Sequence, residues 1–437
     1  MTKKRIIKTL ALALSISLLA PFASKVIAKE NAVEPTIVSQ AAIVMDYDTG
    51  EIIYEKNAND KMFLASTTKL MTSLLFAEKF NKTDSITYTE TAKAQPPYSL
   101  DSNYMKTNNK EMTVGDTLSA DVVMKTLLLY SANDAAYMVS DAVGGDTANF
   151  SNLMNAKAEE FGLTGTHYEN PNGLPGSDGS DVNYSTAYEL AVITKKAYEN
   201  DWIRETLMIK EGDKEATVTL PQDTIINLIV RNEELGKNGN IGGKTGFTNE
   251  AGNCFAGVYE RNDKKYIGIV FKSGSNQLDK TRFPELNSMM DYSTSVDKVT
   301  YKKAGEEVGT TDLEYKLFRF FGPTKTITAP IILNEDVNLY DNKINNSEAE
   351  IILNSSETNA WKVASQDETP LEVKVKGFTL EVNGNVEISG LDLIKANAII
   401  YIAALAVIII IVVLILFIIK MMNNRGNKRS RYKRRRY

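Results

Sequence analysis

The chain has 437 residues and a formal net charge of −5, with 43% apolar and 24% charged residues, the balance of a globular protein with length for two or three domains. One cysteine and one histidine exclude an intrachain disulfide and any zinc site assembled from His and Cys. Five of the 50 Lys and Arg residues precede residue 29 and nine follow residue 419, so 36 of them stand among all 55 acids in between. A charge near −19 on that stretch argues against nucleic acid as its partner.

In chain order, residues 1–28 open on Lys3, Lys4, Arg5 and Lys8, continue as an apolar run over 10–20 and reach Val26-Ile27-Ala28. This is the pattern of a secretory signal peptide cut after Ala28, with an uncleaved N-terminal anchor as the alternative. Residues 41–46 and 52–54 read as a hairpin around Asp48-Thr49-Gly50. The spacing of Leu70, Leu74 and Ala77 predicts a helix over 66–80. Further helices are expected over 118–129, 134–143 (closed by Gly144-Gly145), 150–161 and 186–198. Strands are expected over 241–256 and 266–271, joined by a polar turn at 260–264. Strands at both ends with helices between predict an α+β domain over 29–296: one antiparallel sheet flanked by helices.

From 299 to 388 the pattern changes to short alternating runs, among them 326–328, 337–339, 350–353, 371–375 and 378–382. A small all-β domain is expected over 297–392, with a tight hairpin at Asn383-Gly384 ahead of Val386-Glu387-Ile388. It shows no catalytic cluster, which fits a spacer or docking role. Residues 396–419 form an uncharged run whose one strongly polar member is Asn397. About 20 such residues suffice for a transmembrane helix. The tail, 420–437, holds nine Lys and Arg and no acid. Short basic flanks stay in the cytoplasm, so the C-terminus is expected inside and everything between signal and helix outside. Directly after a span, anionic lipid is a better partner for such a tail than nucleic acid.

Three short motifs carry chemistry. In Ser66-Thr67-Thr68-Lys69, a spacing of i, i+3 at the start of a helix puts hydroxyl and amine on one face. A hydroxyl needs a base to become a nucleophile, and a lysine serves as one only when burial or a second cation lowers its pKa. Alone, the motif reads equally as a capped helix with a surface lysine. Ser131-Ala132-Asn133 stands between two helices, where it can aim a second hydroxyl and an amide at one cleft; the plainer reading has Asn133 capping the helix that starts at Asp134. Lys244-Thr245-Gly246, on a strand, offers a cation for a substrate carboxylate and a glycine that lets substrate lie along the strand edge. Strand N–H groups there can polarise a carbonyl.

Taken together and in this order, the motifs resemble those of the low-molecular-mass penicillin-binding proteins, specifically the serine-type D-alanyl-D-alanine carboxypeptidases. The resemblance spans roughly residues 36–292. It is carried by Leu64-Ala65-Ser66-Thr67-Thr68-Lys69-Leu70-Met71-Thr72, Ser131-Ala132-Asn133-Asp134-Ala135-Ala136, Asn170-Pro171-Asn172-Gly173-Leu174 and Gly243-Lys244-Thr245-Gly246-Phe247-Thr248, with Glu250-Ala251-Gly252. It implies a β-lactamase/transpeptidase-like catalytic domain and removal of the terminal D-Ala from peptidoglycan stem pentapeptides. It also implies β-lactam antibiotics as covalent inhibitors, and no cofactor. By the same resemblance Ser66 forms the acyl-enzyme and Lys69 is its base. Ser131 and Asn133 shuttle protons and hold the substrate amide. Lys244 and Thr245 face the terminal carboxylate, and the N–H groups of Ser66 and Phe247 form the oxyanion hole. Arg282 falls near the family's carboxylate-binding arginine, against the alternative of a solvated surface charge.

The chain departs from the family at Leu64, where proline is common, at Asn183, where histidine is, and over 99–109, which matches in part. His167 is not expected to be catalytic, because Lys69 already supplies a base. Cys254 is expected as a small buried hydrophobe. The competing readings are a β-lactamase or DD-endopeptidase of the same fold, or a non-catalytic penicillin-sensing or wall-binding protein.

Overall fold

The computed structural model describes residues 32–95, 99–101, 111–176, 182–354, 358–366 and 368–433. The expected signal segment and most of 99–109 lie outside the described residues.

The organising element is a five-stranded antiparallel sheet built from both ends of the first 300 residues. It comprises β1 (Ala41–Asp46), β2 (Ile52–Lys56), β3 (Asn240–Thr248), β4 (Gly252–Arg261) and β5 (Lys264–Phe271), in the order β2-β1-β5-β4-β3. Side chains alternate between the faces of a strand, and here both faces are covered. Ala41, Ile43 and Met45 of β1 enter one core, while Ala42 and Val44 enter another with Phe255, Tyr259 and Val270. That is why β1 reads as an unbroken apolar run rather than an alternating one. Helices α1 (Lys69–Lys79), α2 (Asn133–Gly144) and α3 (Ala187–Glu199) belong to the first core; α4 (Arg282–Ser293) closes the second with Phe283, Leu286, Met289 and Met290. The expected α+β sheet flanked by helices is the one observed.

Several boundaries differ from expectation. Residues 65–68 form a 3₁₀ turn, and the α-helix begins only at Lys69. The stretch 118–129 divides into a strand at Thr117–Ser119, a helix over Ala120–Lys125 and a π turn over Thr126–Tyr130. The expected strand 241–256 is two strands, β3 and β4, turned at 249–251 ahead of Gly252 at φ +64°. The β4–β5 turn is Asn262-Asp263, both at positive φ, the geometry of a two-residue hairpin loop.

After residue 299 a second antiparallel sheet takes over, in the order Glu307–Lys316, Thr324–Leu333, Phe378–Val386, Thr369–Val375, Glu350–Leu353, with short helices at Lys343–Glu348 and Ala360–Val363. The expected hairpin at Asn383-Gly384 is a misreading. Both residues lie inside a strand, opposite Pro370 and Thr369, and the turn falls at Lys376-Gly377, with Lys376 at φ +53°. A Cβ on Gly384 would sit 2.2 Å from Leu371 Cδ1 and 2.9 Å from the Ile332 carbonyl, so this glycine serves close packing, not a turn.

The two sheets are joined by polar contacts. Asn342 and Asn345 both donate to the Ile52 carbonyl at 3.0 Å, and Gly377 N–H donates to Tyr188 Oη at 2.9 Å. Asn397 is buried, donating to Tyr315 Oη and accepting from Lys325 Nζ, each at 2.6 Å. The long apolar helix begins at Ala398, directly after this buried anchor. From there to Met422 it is long and apolar enough to cross a membrane, held to the sheet near its start by Tyr401 against Phe318 and Leu317.

Candidate active site

The first motif sits on a strained loop. Ala65 takes φ +45°, a left-handed value that a residue with a Cβ adopts only under compulsion. Opposite it Gly173, at φ +85°, approaches so closely that a Cβ there would lie 1.8 Å from the Ala65 carbonyl oxygen. Thr67 Oγ1 ties the loop by donating to the Leu64 carbonyl at 2.6 Å. Asn183 binds it from behind. Its amide donates to Thr68 Oγ1 at 3.1 Å and to the Asn170 carbonyl at 2.8 Å. The result is a half-buried Ser66 at the mouth of a turn, one residue-triplet ahead of a buried Lys69.

Lys69 is fully buried, and its Nζ lies 2.9 Å from Ser66 Oγ, 3.0 Å from Asn133 Oδ1 and 3.0 Å from the Asn172 carbonyl. Burial pushes its pKa down to about 7, with the buried Asp134 carboxylate pulling the other way. A neutral amine has two N–H bonds and one lone pair. The Asn172 carbonyl and Asn133 Oδ1 can only accept, so they take the two N–H bonds. The lone pair is left facing Ser66, whose hydroxyl then donates to it. The orientation of the base follows from its two other partners.

The second motif enters at φ +72° on Ser131, directly after the π turn. Asn133 is the first residue of α2 and does not cap it; its side-chain oxygen is spent on Lys69. Asp134, also fully buried, accepts from the backbone N–H groups of Leu100, Asp101 and Ala135 at 2.6, 2.9 and 2.9 Å. Burial raises its pKa to about 6 against those three donors. It pins residues 99–101 against the start of α2.

The third motif lies on β3, the edge strand beside the Ser66 loop. Lys244 is buried and donates to Ser131 Oγ at 2.8 Å and to the Thr245 carbonyl at 2.9 Å. Burial, then the neighbouring Lys69 and Arg231, hold its pKa well below the usual lysine range. A Cβ on Gly246 would stand 3.1 Å from the Leu64 carbonyl and from the backbone nitrogens of Ser66 and Thr67. This glycine is thus needed first for the approach of strand to loop. That approach brings the Ser66 and Phe247 backbones to one wall of the site.

These elements enclose a cavity of about 810 Å³, lined by Ser66, Ser131, Asn133, Thr245, Gly246, Phe247 and Arg282, among others. Lys69 and Lys244 lie beneath its floor. Arg282 is not a solvated surface charge: it is 8% exposed, donates to Asn253 Oδ1 at 2.7 Å and to the Asp279 carbonyl at 2.9 Å, and lies over the Phe283 ring. The sequence reading missed the rim. Arg231 sits over the Tyr130 ring at 4.9 Å, and the Lys280–Glu233 ion pair bridges two loops beside it. It also missed the roles of the Asn172 carbonyl and Asp134, which belong to quoted motifs but act through contacts that no spacing reveals. His167 pairs with Glu169 at 2.5 Å and does not line the cavity. Cys254 is buried, its thiol pushed up to about 12 by burial and turned to the Phe63 carbonyl at 3.7 Å.

The structure resembles penicillin-binding protein D2 of Listeria monocytogenes in its ampicillin-bound form, with a TM-score of 0.50 and 29% identity over 60% of this chain and 99% of that one. The fold is that of the penicillin-binding and transpeptidase enzymes. In sequence, DacF of Bacillus subtilis, a D-alanyl-D-alanine carboxypeptidase, is 28% identical over 298 residues, 67% of this chain and 71% of that protein. DacB2 of Mycobacterium tuberculosis, of the same designation, is 30% identical over 249 residues, 55% of this chain and 79% of the other. Residues 28–275 match the profile of the D-alanyl-D-alanine carboxypeptidase family. The chain belongs to that family and is a serine-type D-Ala-D-Ala carboxypeptidase.

Proposed function

We propose that Ser66 is the nucleophile of this enzyme and Lys69 its base, acting on peptidoglycan stem pentapeptides outside the membrane. One observation carries the reading: a desolvated lysine 2.9 Å from a serine hydroxyl, its remaining hydrogens committed to acceptors. Ser66 gives its proton to Lys69 while Oγ bonds to the carbonyl carbon of the penultimate D-Ala. The oxyanion so formed is held by the N–H groups of Ser66 and Phe247. The terminal carboxylate is met by Thr245 and Arg282, with the Asn133 amide on the peptide. As the C–N bond breaks, the proton that Lys69 took from Ser66 passes by way of Ser131 Oγ, which Lys244 supports from below, to the departing D-Ala nitrogen, leaving Lys69 neutral again. Water then attacks the acyl-enzyme, Lys69 again taking the proton, and Ser66 is restored.

β-lactams present the same carbonyl and carboxylate, and are expected to acylate Ser66 without a leaving group that diffuses away. Benzylpenicillin treatment followed by peptide mass spectrometry should place one adduct on Ser66. D-Ala release from an acylated tripeptide ending in D-Ala-D-Ala should vanish in Ser66→Ala. A chain that binds penicillin covalently but releases no D-Ala would be a sensor, not a carboxypeptidase. The apolar helix supports a single-pass anchor, with the basic tail on the cytoplasmic side against anionic lipid. Protease added outside intact cells should then remove the catalytic region and spare the tail.

A further inference from the structure

The strands Glu307–Lys316 and Thr324–Leu333 are joined by a tip that reverses through Arg319 at φ +66° and Gly322 at φ +97°. At this tip Phe320 is 83% exposed and Phe321 67%. Two adjacent exposed phenylalanines on a hairpin tip mark a surface built to be covered.

The tip is locked to the start of the C-terminal helix. The Phe318 ring stacks on Phe321 at 5.1 Å and meets Tyr401 edge-on at 5.5 Å, and the Tyr401 hydroxyl donates to the Leu317 carbonyl. Tyr401 and Lys420 are separated by a helical rise of about 28 Å, at about 1.5 Å per residue. That is close to the roughly 30 Å hydrocarbon thickness of a bilayer. With Lys420 at one boundary, Tyr401 stands at the other, the level at which tyrosine and tryptophan rings gather. Phe318, packed on Tyr401, and Phe321, stacked on Phe318, share its depth. Cations flank the tip at the same level: Arg319 lies over the Phe320 ring at 5.4 Å, Lys316 donates to Thr324 Oγ1 at 2.7 Å, and Lys325 holds Asn397. Apolar rings rimmed by cations fit anionic headgroups above acyl chains.

We propose that Phe320 and Phe321 insert into the outer leaflet of the membrane that the helix crosses. The second sheet then has two attachments to the bilayer, one covalent and one through the tip. A single helix leaves the ectodomain free to tilt; a second contact fixes its tilt, and with it the direction in which the catalytic cleft opens over the wall. The inference rests on the helix spanning the membrane, and its test separates the two.

Cys254 is fully buried, so single cysteines introduced elsewhere can be labelled selectively with an environment-sensitive nitrobenzoxadiazole dye. The full chain carrying Phe320→Cys, Ile410→Cys or Leu153→Cys is reconstituted into vesicles of phosphatidylglycerol and phosphatidylethanolamine, with and without doxyl-labelled acyl chains. Retained acylation by a fluorescent penicillin shows that each labelled chain is folded. The label at 320 should emit to the blue, lose at least half its fluorescence to doxyl lipid and resist iodide; the label at 153 should do none of these. Quenching by lipid at 410 but not at 320 overturns the tip insertion alone. No quenching at 410 removes the membrane span, and the insertion with it. A blue-shifted label at 320 that ignores doxyl lipid also overturns it, because the tip is then covered by protein.

Discussion

Lys244 Nζ donates to Ser131 Oγ at 2.8 Å although the two residues are 113 positions apart. The contact joins the edge strand to the turn before α2 and ties the second hydroxyl of the site to a buried lysine. Ser131→Ala removes one of the two acceptors that Lys244 Nζ meets and leaves it the Thr245 carbonyl. D-Ala release should fall ~10²-fold or more, the usual loss when an acid–base partner is removed. A steady-state assay on the tripeptide, with the thermal midpoint as a fold control, checks it.

With Lys69 as the proposed base, its protonation state should set the acidic limb of the pH profile. Its pKa stands at about 7, so above pH 7 the amine is neutral and holds a lone pair for Ser66. Below pH 7 it becomes an ammonium and the base is lost. The second-order rate of benzylpenicillin acylation should therefore rise about tenfold per pH unit up to pH 7 and then level off. A rate independent of pH between 5 and 8 would refute the assignment. Lys69→Arg, which keeps a cation and has no neutral form, should lower the plateau rate above pH 7 by ~10²–10⁴-fold and abolish the acidic limb.

Asp134 opposes that depression of Lys69, which gives a second test with a definite sign. Asp134→Asn removes a carboxylate that favours the ammonium form, so the acidic limb should move to lower pH. Asp134→Ala also strips the acceptor from three backbone N–H groups. An unsatisfied buried donor costs roughly 1–3 kcal/mol, so the thermal midpoint should drop clearly in the alanine variant and less in the asparagine variant.

Gly246 and Gly173 separate activity from stability. A Cβ at 246 asks neighbouring backbone to yield by a few tenths of an ångström, and the atoms that yield are those of the Ser66 loop and the oxyanion wall. Gly246→Ala should fold and lose ~10²-fold in acylation, the scale of losing one oxyanion donor. A Cβ at 173 would meet the Ala65 carbonyl at 1.8 Å from a left-handed backbone, so Gly173→Ala should be chiefly unstable. Penicillin acylation rates and melting curves on both variants, run together, decide it.

Much of this was legible in the chain itself. Helix over 187–199, strand over 41–46 and the apolar helix near 398–422 are written in local periodicity, because neighbours within a few residues choose them. The i, i+3 spacing of Ser66 and Lys69 put hydroxyl and amine together by the same local rule. Locality also explains the errors. Asn383-Gly384 has turn chemistry, yet the cross-strand neighbours Leu371 and Ile332 keep it extended, and no window of sequence contains them. Residues 66–68 read as helix, yet they form a 3₁₀ turn after Ala65 at positive φ, packed against Gly173 more than 100 positions away.

The order of the three motifs, their residue types and an apolar stretch of bilayer length are properties of the sequence alone, since each depends on nothing beyond its own segment. That Lys69 is dry enough to titrate near 7, that the Asn172 carbonyl and Asn133 Oδ1 aim its lone pair, and that Phe318 meets Tyr401 are decided by the tertiary structure. Desolvation and long-range hydrogen bonds belong to surfaces brought together from distant segments, and only the folded chain brings them together.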